Sequence, residues 1–111
     1  MAIQVGTDNP QKLLDAIYEA IDEGHIETWT YDEDGDFIHV TPDEQWVGKA
    51  WLHPVPNATF LTLNTIAPTE GLSDEVYAVY HGRFIEMLLA HFDDEFFSAI
   101  ATAQLTLEER S

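Results

Sequence analysis

The sequence predicts an α+β fold: a four- to five-stranded antiparallel meander with two helices packed on one face. Three observations predict it. Apolar residues recur at helical spacing in two segments, Leu13–Ile21 and Val76–Phe92. Between these segments lie runs rich in aromatic, threonine and β-branched residues, punctuated by turn signals. The connections are only a few residues long, which joins antiparallel neighbours and leaves no room for the crossovers that parallel strands need. The expected order is α-β-β-β-β-α-(β), in one small acidic domain spanning 1–111 with flexible ends at 1–8 and 105–111.

The first helix opens at Asn9-Pro10, a capping side chain followed by proline in the first turn. Leu13, Leu14, Ile17, Ala20 and Ile21 share one side of it, Asp15, Glu19, Asp22 and Glu23 the other, and Gly24 supplies the stop. From His25 the period becomes two. His25–Tyr31 and Phe37–Thr41 are expected strands joined across Asp32-Glu33-Asp34-Gly35-Asp36, where Asp34-Gly35 is a strong hairpin signal. After the turn Thr41-Pro42-Asp43-Glu44, a third strand is expected over Trp46–His53, broken by Pro54-Val55-Pro56-Asn57, and a fourth over Ala58–Thr65. Ser73 caps the second helix, with Asp74 and Glu75 complementing its positive end. On a wheel of about 100° per residue the apolar and aromatic positions of this helix cover about 280°. One sheet needs far less than that. Cover on two sides is therefore expected, the second supplied by the rest of the chain or by a second subunit. Phe96–Ala103 reads as a fifth strand, with a short helix as the alternative.

Charge excludes several classes of function. Twenty-one acidic residues against four basic ones give a net charge of -17. Such a surface repels nucleic acid and anionic membranes. The hydrophobic fraction of 45% is that of a folded protein, so the charge does not signal disorder. No cysteine is present, which removes disulfides and thiolate chemistry. No run of eighteen apolar residues exists to span a membrane. Met1–Pro10 carries no basic, apolar leader, so a cytoplasmic protein is expected. Residues 45–69 contain no acid at all. They are expected to form the buried centre of the fold, with an exposed, uncharged docking strip as the alternative.

Motifs that carry chemistry are weak. If Gly35 were the sixth position of a calcium loop, Thr30 and Thr41 would have to supply the first and twelfth ligands, and both fail. A solvated hairpin turn fits better. None of the five histidines forms a chelating helical pair; His39 and His53 are the two that neighbouring strands could bring together, and no metal is expected. Nucleophile elbows and phosphate loops are absent from the sequence. Arg83, one of four bases, falls mid-helix beside Gly82. A glycine there costs about 1 kcal/mol relative to alanine, which argues for close approach by another backbone. Trp46, Lys49, Trp51, Tyr80, His81 and Arg83 are thus the candidate binding residues. Asp32, Glu33, Asp34, Asp36, Asp43 and Glu44 are the candidate acidic face.

Two functional classes are compatible with these residues. The first is a non-catalytic acidic interaction module, chaperone-, adaptor- or inhibitor-like, that binds a basic protein partner and forms a homodimer. The second is a small-molecule-binding protein or enzyme with a pocket between the sheet and the long helix. The absence of a catalytic motif favours the first, with no cofactor. Adaptation to high salt would account for the acidity in either case.

Overall fold

Backbone alternation fixes which side chains the sheet turns inward. In the computed structural model, which describes residues 1–103 and the backbone of 108–109, the elements are β1 (Ala2–Gly6), α1 (Pro10–Asp22), β2 (Trp29–Tyr31), β3 (Phe37–His39), β4 (Trp51–Pro56), β5 (Phe60–Ala67), α2 (Asp74–Phe92), β6 (Ser98–Thr102) and the two-residue β7 (Glu108–Glu109). The order across the sheet is β2-β3-β4-β5-β1-β6, with every neighbouring pair antiparallel, and β7 pairs in parallel with the end of β5. The α+β class and the consecutive meander β2–β5 are those expected. Trp29 stands opposite His39, Phe37 opposite Leu52, Leu52 opposite Thr65, and Leu63 opposite Ile3. These residues and their alternates form one face, buried beneath both helices.

Both helices begin where the caps place them. The Asn9 side chain accepts from the Lys12 N–H, and the Ser73 side chain accepts from the Val76 N–H. At the end of α1 the N–H groups of Gly24 and His25 donate to the carbonyls of Ile21 and Ala20, with Gly24 at φ 78°. This double closure needs a left-handed residue, and glycine adopts that conformation without strain. α1 buries Leu13, Leu14 and Ile17, and α2 buries Tyr80, His81, Phe84, Met87, Leu88 and Phe92. Trp29 lies between them in the core, edge-on to Tyr80 and Phe84 with ring centroids 5.5 and 5.0 Å away.

Five expectations are corrected. Residues 2–6, assigned to a flexible terminus, are a strand paired on both sides, with Ile3 and Val5 fully buried and Gln4 exposed between them. The other flexible end, 105–111, lies outside the described residues apart from the backbone of β7. The third strand begins at Trp51, not Trp46, and runs through both prolines. The Asn57 N–H bonds the Phe60 carbonyl at 2.8 Å, so odd-numbered backbone groups of β4 face β5. Pro54 and Pro56 therefore face the side where β3 has ended, having paired only at Leu52, and no ladder hydrogen bond is lost.

The fourth correction concerns α2. Its buried residues span only about 140° of the wheel, and Ala78, Gly82, Arg83, Glu86, Leu89 and Ala90 are exposed. Within one chain the helix is covered on one side. Counting residue types gave Leu89 and Val79 the same weight as Phe84, but the sheet lies beneath only one arc. Gly82 makes no close approach either: a Cβ built there meets nothing within 4 Å. No helix among the described residues is long and apolar enough to cross a membrane.

Candidate functional site

Three of the expected binding residues converge where α2 crosses the end of β3, joined by a histidine that sequence reasoning had assigned elsewhere. The hydroxyl of Tyr80, buried in mid-helix, donates to the Trp46 carbonyl at 2.6 Å and accepts the His39 N–H at 3.3 Å. His39, on the inward face of β3, donates from Nδ1 to the Thr28 carbonyl at 2.8 Å. That bond leaves Nε2 as an acceptor, and it takes Nη1 of Arg83 at 3.2 Å. The Arg83 guanidinium also lies over the Trp46 ring, 5.7 Å from its centroid. Arg83 itself is exposed.

The segment between β3 and β4 is shaped by local chemistry. Thr41-Pro42-Asp43-Glu44 forms the expected turn, closed by the Glu44 N–H on the Thr41 carbonyl at 2.8 Å, with Glu44 in the left-handed region at φ 55°. The Asp43 carboxylate takes the Thr41 hydroxyl and the Gln45 N–H, and these bonds hold its pKa below the usual carboxylate range, with a smaller contribution from Arg83. Gly48, at φ 74°, turns the chain again and lets Trp46 drop into the core at 7% exposure. A cleft of about 310 Å3 opens here to the surface, lined by Thr41, Pro42, Asp43, Gln45, Trp46 and Arg83.

Protonation states limit what this cluster can do. Burial, followed by the Arg83 charge, lowers the His39 pKa against the opposing Thr28 carbonyl, so the ring is neutral at neutral pH. Burial pushes Tyr80 up to about 12, so it keeps its proton. The one free lone pair of the imidazole is already taken by a guanidinium. The cluster therefore pins the loop to α2 and presents a stacked cation at the rim of the cleft. It holds no group poised to exchange a proton.

The remaining expected residues lie elsewhere. Trp51 is on the opposite face of the sheet, beside Ile66 in the pairing, and Lys49 is exposed in the turn. His81 is buried on another arc of α2, with Nε2 against the Thr65 hydroxyl and its ring edge-on to Tyr77 at 4.5 Å. Its Nδ1 has no hydrogen-bond partner among the described residues, and burial lowers its pKa to about 4. Thr65 Oγ1 is satisfied as an acceptor if Nε2 carries the proton, which leaves Nδ1 as a bare lone pair, the cheaper group to bury.

The acidic residues divide. Glu33, Asp34, Asp43 and Glu44 are exposed and Asp32 is half-buried, but Asp36 is 1% exposed. His39 and His53 do not meet, because they stand on opposite faces; His53 Nδ1 instead contacts Asp36 Oδ1 at 2.6 Å. The cross-strand position of His53 beside an acidic turn was the available signal. Carboxylate oxygens of Asp32, Asp34 and Asp36 lie within 4.8 Å of one another, and these residues are the best placed to hold a cation. Asp32 Oδ1, however, already accepts the N–H groups of Asp34 and Asp36, each at 3.0 Å, and Asp36 is engaged by His53. These bonds make the cluster a self-capped turn. It is latched to α1 by the Tyr18 hydroxyl on the Gly35 carbonyl at 2.7 Å.

No protein-family model matches this chain, and no match was found among curated proteins or among solved structures.

Proposed function

We propose that this chain is a non-catalytic interaction module that binds a basic protein partner through the carboxylates of its helical side and loops. The observation that carries the proposal is how its charge is segregated. None of the strands β1–β6 contains an Asp, Glu, Lys or Arg. Among the described residues the carboxylates sit on the helices and loops: Asp15, Glu19 and Glu23 around α1, Asp74, Glu75 and Glu86 on α2, and Asp93, Asp94 and Glu95 beyond it, all exposed. Such a field attracts cationic surfaces at long range and sets association rate and salt dependence more than final affinity. The neutral, capped state of His39 and Tyr80 supports a non-enzymatic role. The fully buried Trp29, Phe37, Tyr80 and Phe84, which fill the space between sheet and α2, weigh against the alternative of a ligand pocket there.

The test is affinity capture at low ionic strength, followed by calorimetry with the purified captured protein across a salt series. A saturating complex with a basic partner is expected, with log Kd rising steeply with log salt and weakened by Asp15→Lys together with Glu19→Lys. A partner whose affinity ignores both salt and these substitutions would refute the proposal.

A further inference from the structure

We infer that the open face of the sheet, the one turned away from both helices, is the docking surface for a second copy of this chain. An antiparallel sheet with one face in water ordinarily alternates apolar-in with polar-out. Here the register turns half-buried Ile38, Trp51 and Val55 and exposed Phe60 and Ile100 outward, with Ile66 on the same face but buried beside β7. Phe60 and Ile100 are 41% and 53% exposed. Phe97, 72% exposed, adjoins them: a Cβ on Gly6 would lie 3.8 Å from Phe60 and 4.0 Å from Phe97. Three of the five exposed large apolar side chains among the described residues thus lie over β5, β1 and β6. The polar residues among them, including Gln4, Thr62 and Asn64, carry no charge.

Charge identifies the occupant. Two copies of a chain at -17 repel, contact through α1 would set carboxylate against carboxylate, and the bare arc of α2 offers Leu89 as its one large exposed apolar side chain beside Arg83 and Glu86. Over β5, β1 and β6 the open face carries no charged residue at all. Its described acids gather at one end, where Asp32 and Asp34 lie within 4.8 Å of Asp36, itself buried against His53, and the β7 glutamates pair beside Ile66 and Ala67 at its margin. A basic partner, by contrast, is drawn to the carboxylates, which lie elsewhere. The extent is adequate too. Six strands at about 4.8 Å spacing and about 3.3 Å rise per residue give a patch of about 500 Å2 in projection. Side-chain relief brings that towards the roughly 800 Å2 per partner of a standard interface. Two such faces would stack about 10 Å apart, as packed sheets do.

The test is sedimentation equilibrium on the full chain over a range of micromolar concentrations and sodium chloride. We expect a dimer that tightens as salt screens the repulsion, the opposite sign to binding of a basic partner. Ile100→Glu and the near-isosteric Gln4→Glu, which adds a charge at an exposed central position, are expected to raise the dimer Kd by about tenfold or more. Leu89→Glu, on the bare arc of α2, is expected to leave it unchanged. If circular dichroism finds Ile100→Glu unfolded, Gln4→Glu alone decides. A wild-type chain that stays monomeric, or a dimer broken by Leu89→Glu and not by the sheet variants, overturns the inference. The basic-partner proposal would survive either outcome.

Discussion

Replacing Gly82 with alanine separates two pictures of α2. The residue sits in the interior of a 19-residue helix, is exposed, and has a φ outside the left-handed region. A Cβ added there would meet nothing within 4 Å. Alanine therefore gains only intrinsic helix propensity, about 0.8–1 kcal/mol, with no packing term of either sign. Part of that gain comes from restricting the unfolded chain. For a chain of this length it corresponds to a rise in Tm of about 3–5 °C. With a urea slope of about 1–1.5 kcal/mol/M, the midpoint should move up by about 0.5–1 M. Urea unfolding followed by circular dichroism, at two protein concentrations, reads both. A variant less stable than the wild type would refute the reasoning, because it would mean that another backbone lies against Gly82. That result would also move the contact between copies from the sheet to this helix.

Three further outcomes follow from the same geometry. Tyr80→Phe removes the group that donates to the Trp46 carbonyl and accepts the His39 N–H in a buried setting, so a loss of about 2–3 kcal/mol in chemical denaturation is expected; a neutral effect would show that the loop closes without the hydroxyl. His81, with a folded pKa of about 4 against an ordinary 6.5, refuses a proton that the unfolded chain accepts. Stability should therefore fall as pH drops through that window, by up to about 3 kcal/mol. The difference between wild type and His81→Gln isolates this loss from the general relief of acidic repulsion, and a flat difference would exclude it. Finally, Tm should rise between low and moderate sodium chloride, because the net charge of -17 repels itself; an unchanged Tm by calorimetry would mean that the carboxylates are already neutralised.

Local chemistry made the helix ends legible. Asn9-Pro10, Gly24 and Ser73 act through neighbouring backbone groups, and each cap lies where its residue type placed it. The Asp34-Gly35 turn was legible for the same reason. β1 was not recognised, although Ile3, Gln4 and Val5 alternate, because its stability comes from β5 and β6, about sixty and ninety-five positions away. Prolines hid the second half of β4, since only the neighbouring strand decides whether a missing N–H matters. Trp46, Tyr80 and Arg83 were singled out together with Lys49, Trp51 and His81, and only the fold decides that the first three meet. His39 was missed because a lone histidine at an inward strand position differs from a core residue only through its partners, Thr28 and Arg83. Asp36 was placed among solvated acids because nothing in the run Asp32–Asp36 marks one of its carboxylates as buried.

The position of β1 governs the sequence of events as the chain folds. β2 to β5 are successive hairpins and can zip as soon as each is synthesised, whereas β1 emerges first and must wait for β5 before it has a ladder to join. β6 in turn reaches the rest of the sheet only through β1. Amides of these two strands should exchange with deuterium as one cooperative unit, distinct from the meander, and releasing the first strand would strip the last one with it. A seam of this kind makes β1 and β6 a second unit of the sheet, joined to the meander through β5 alone.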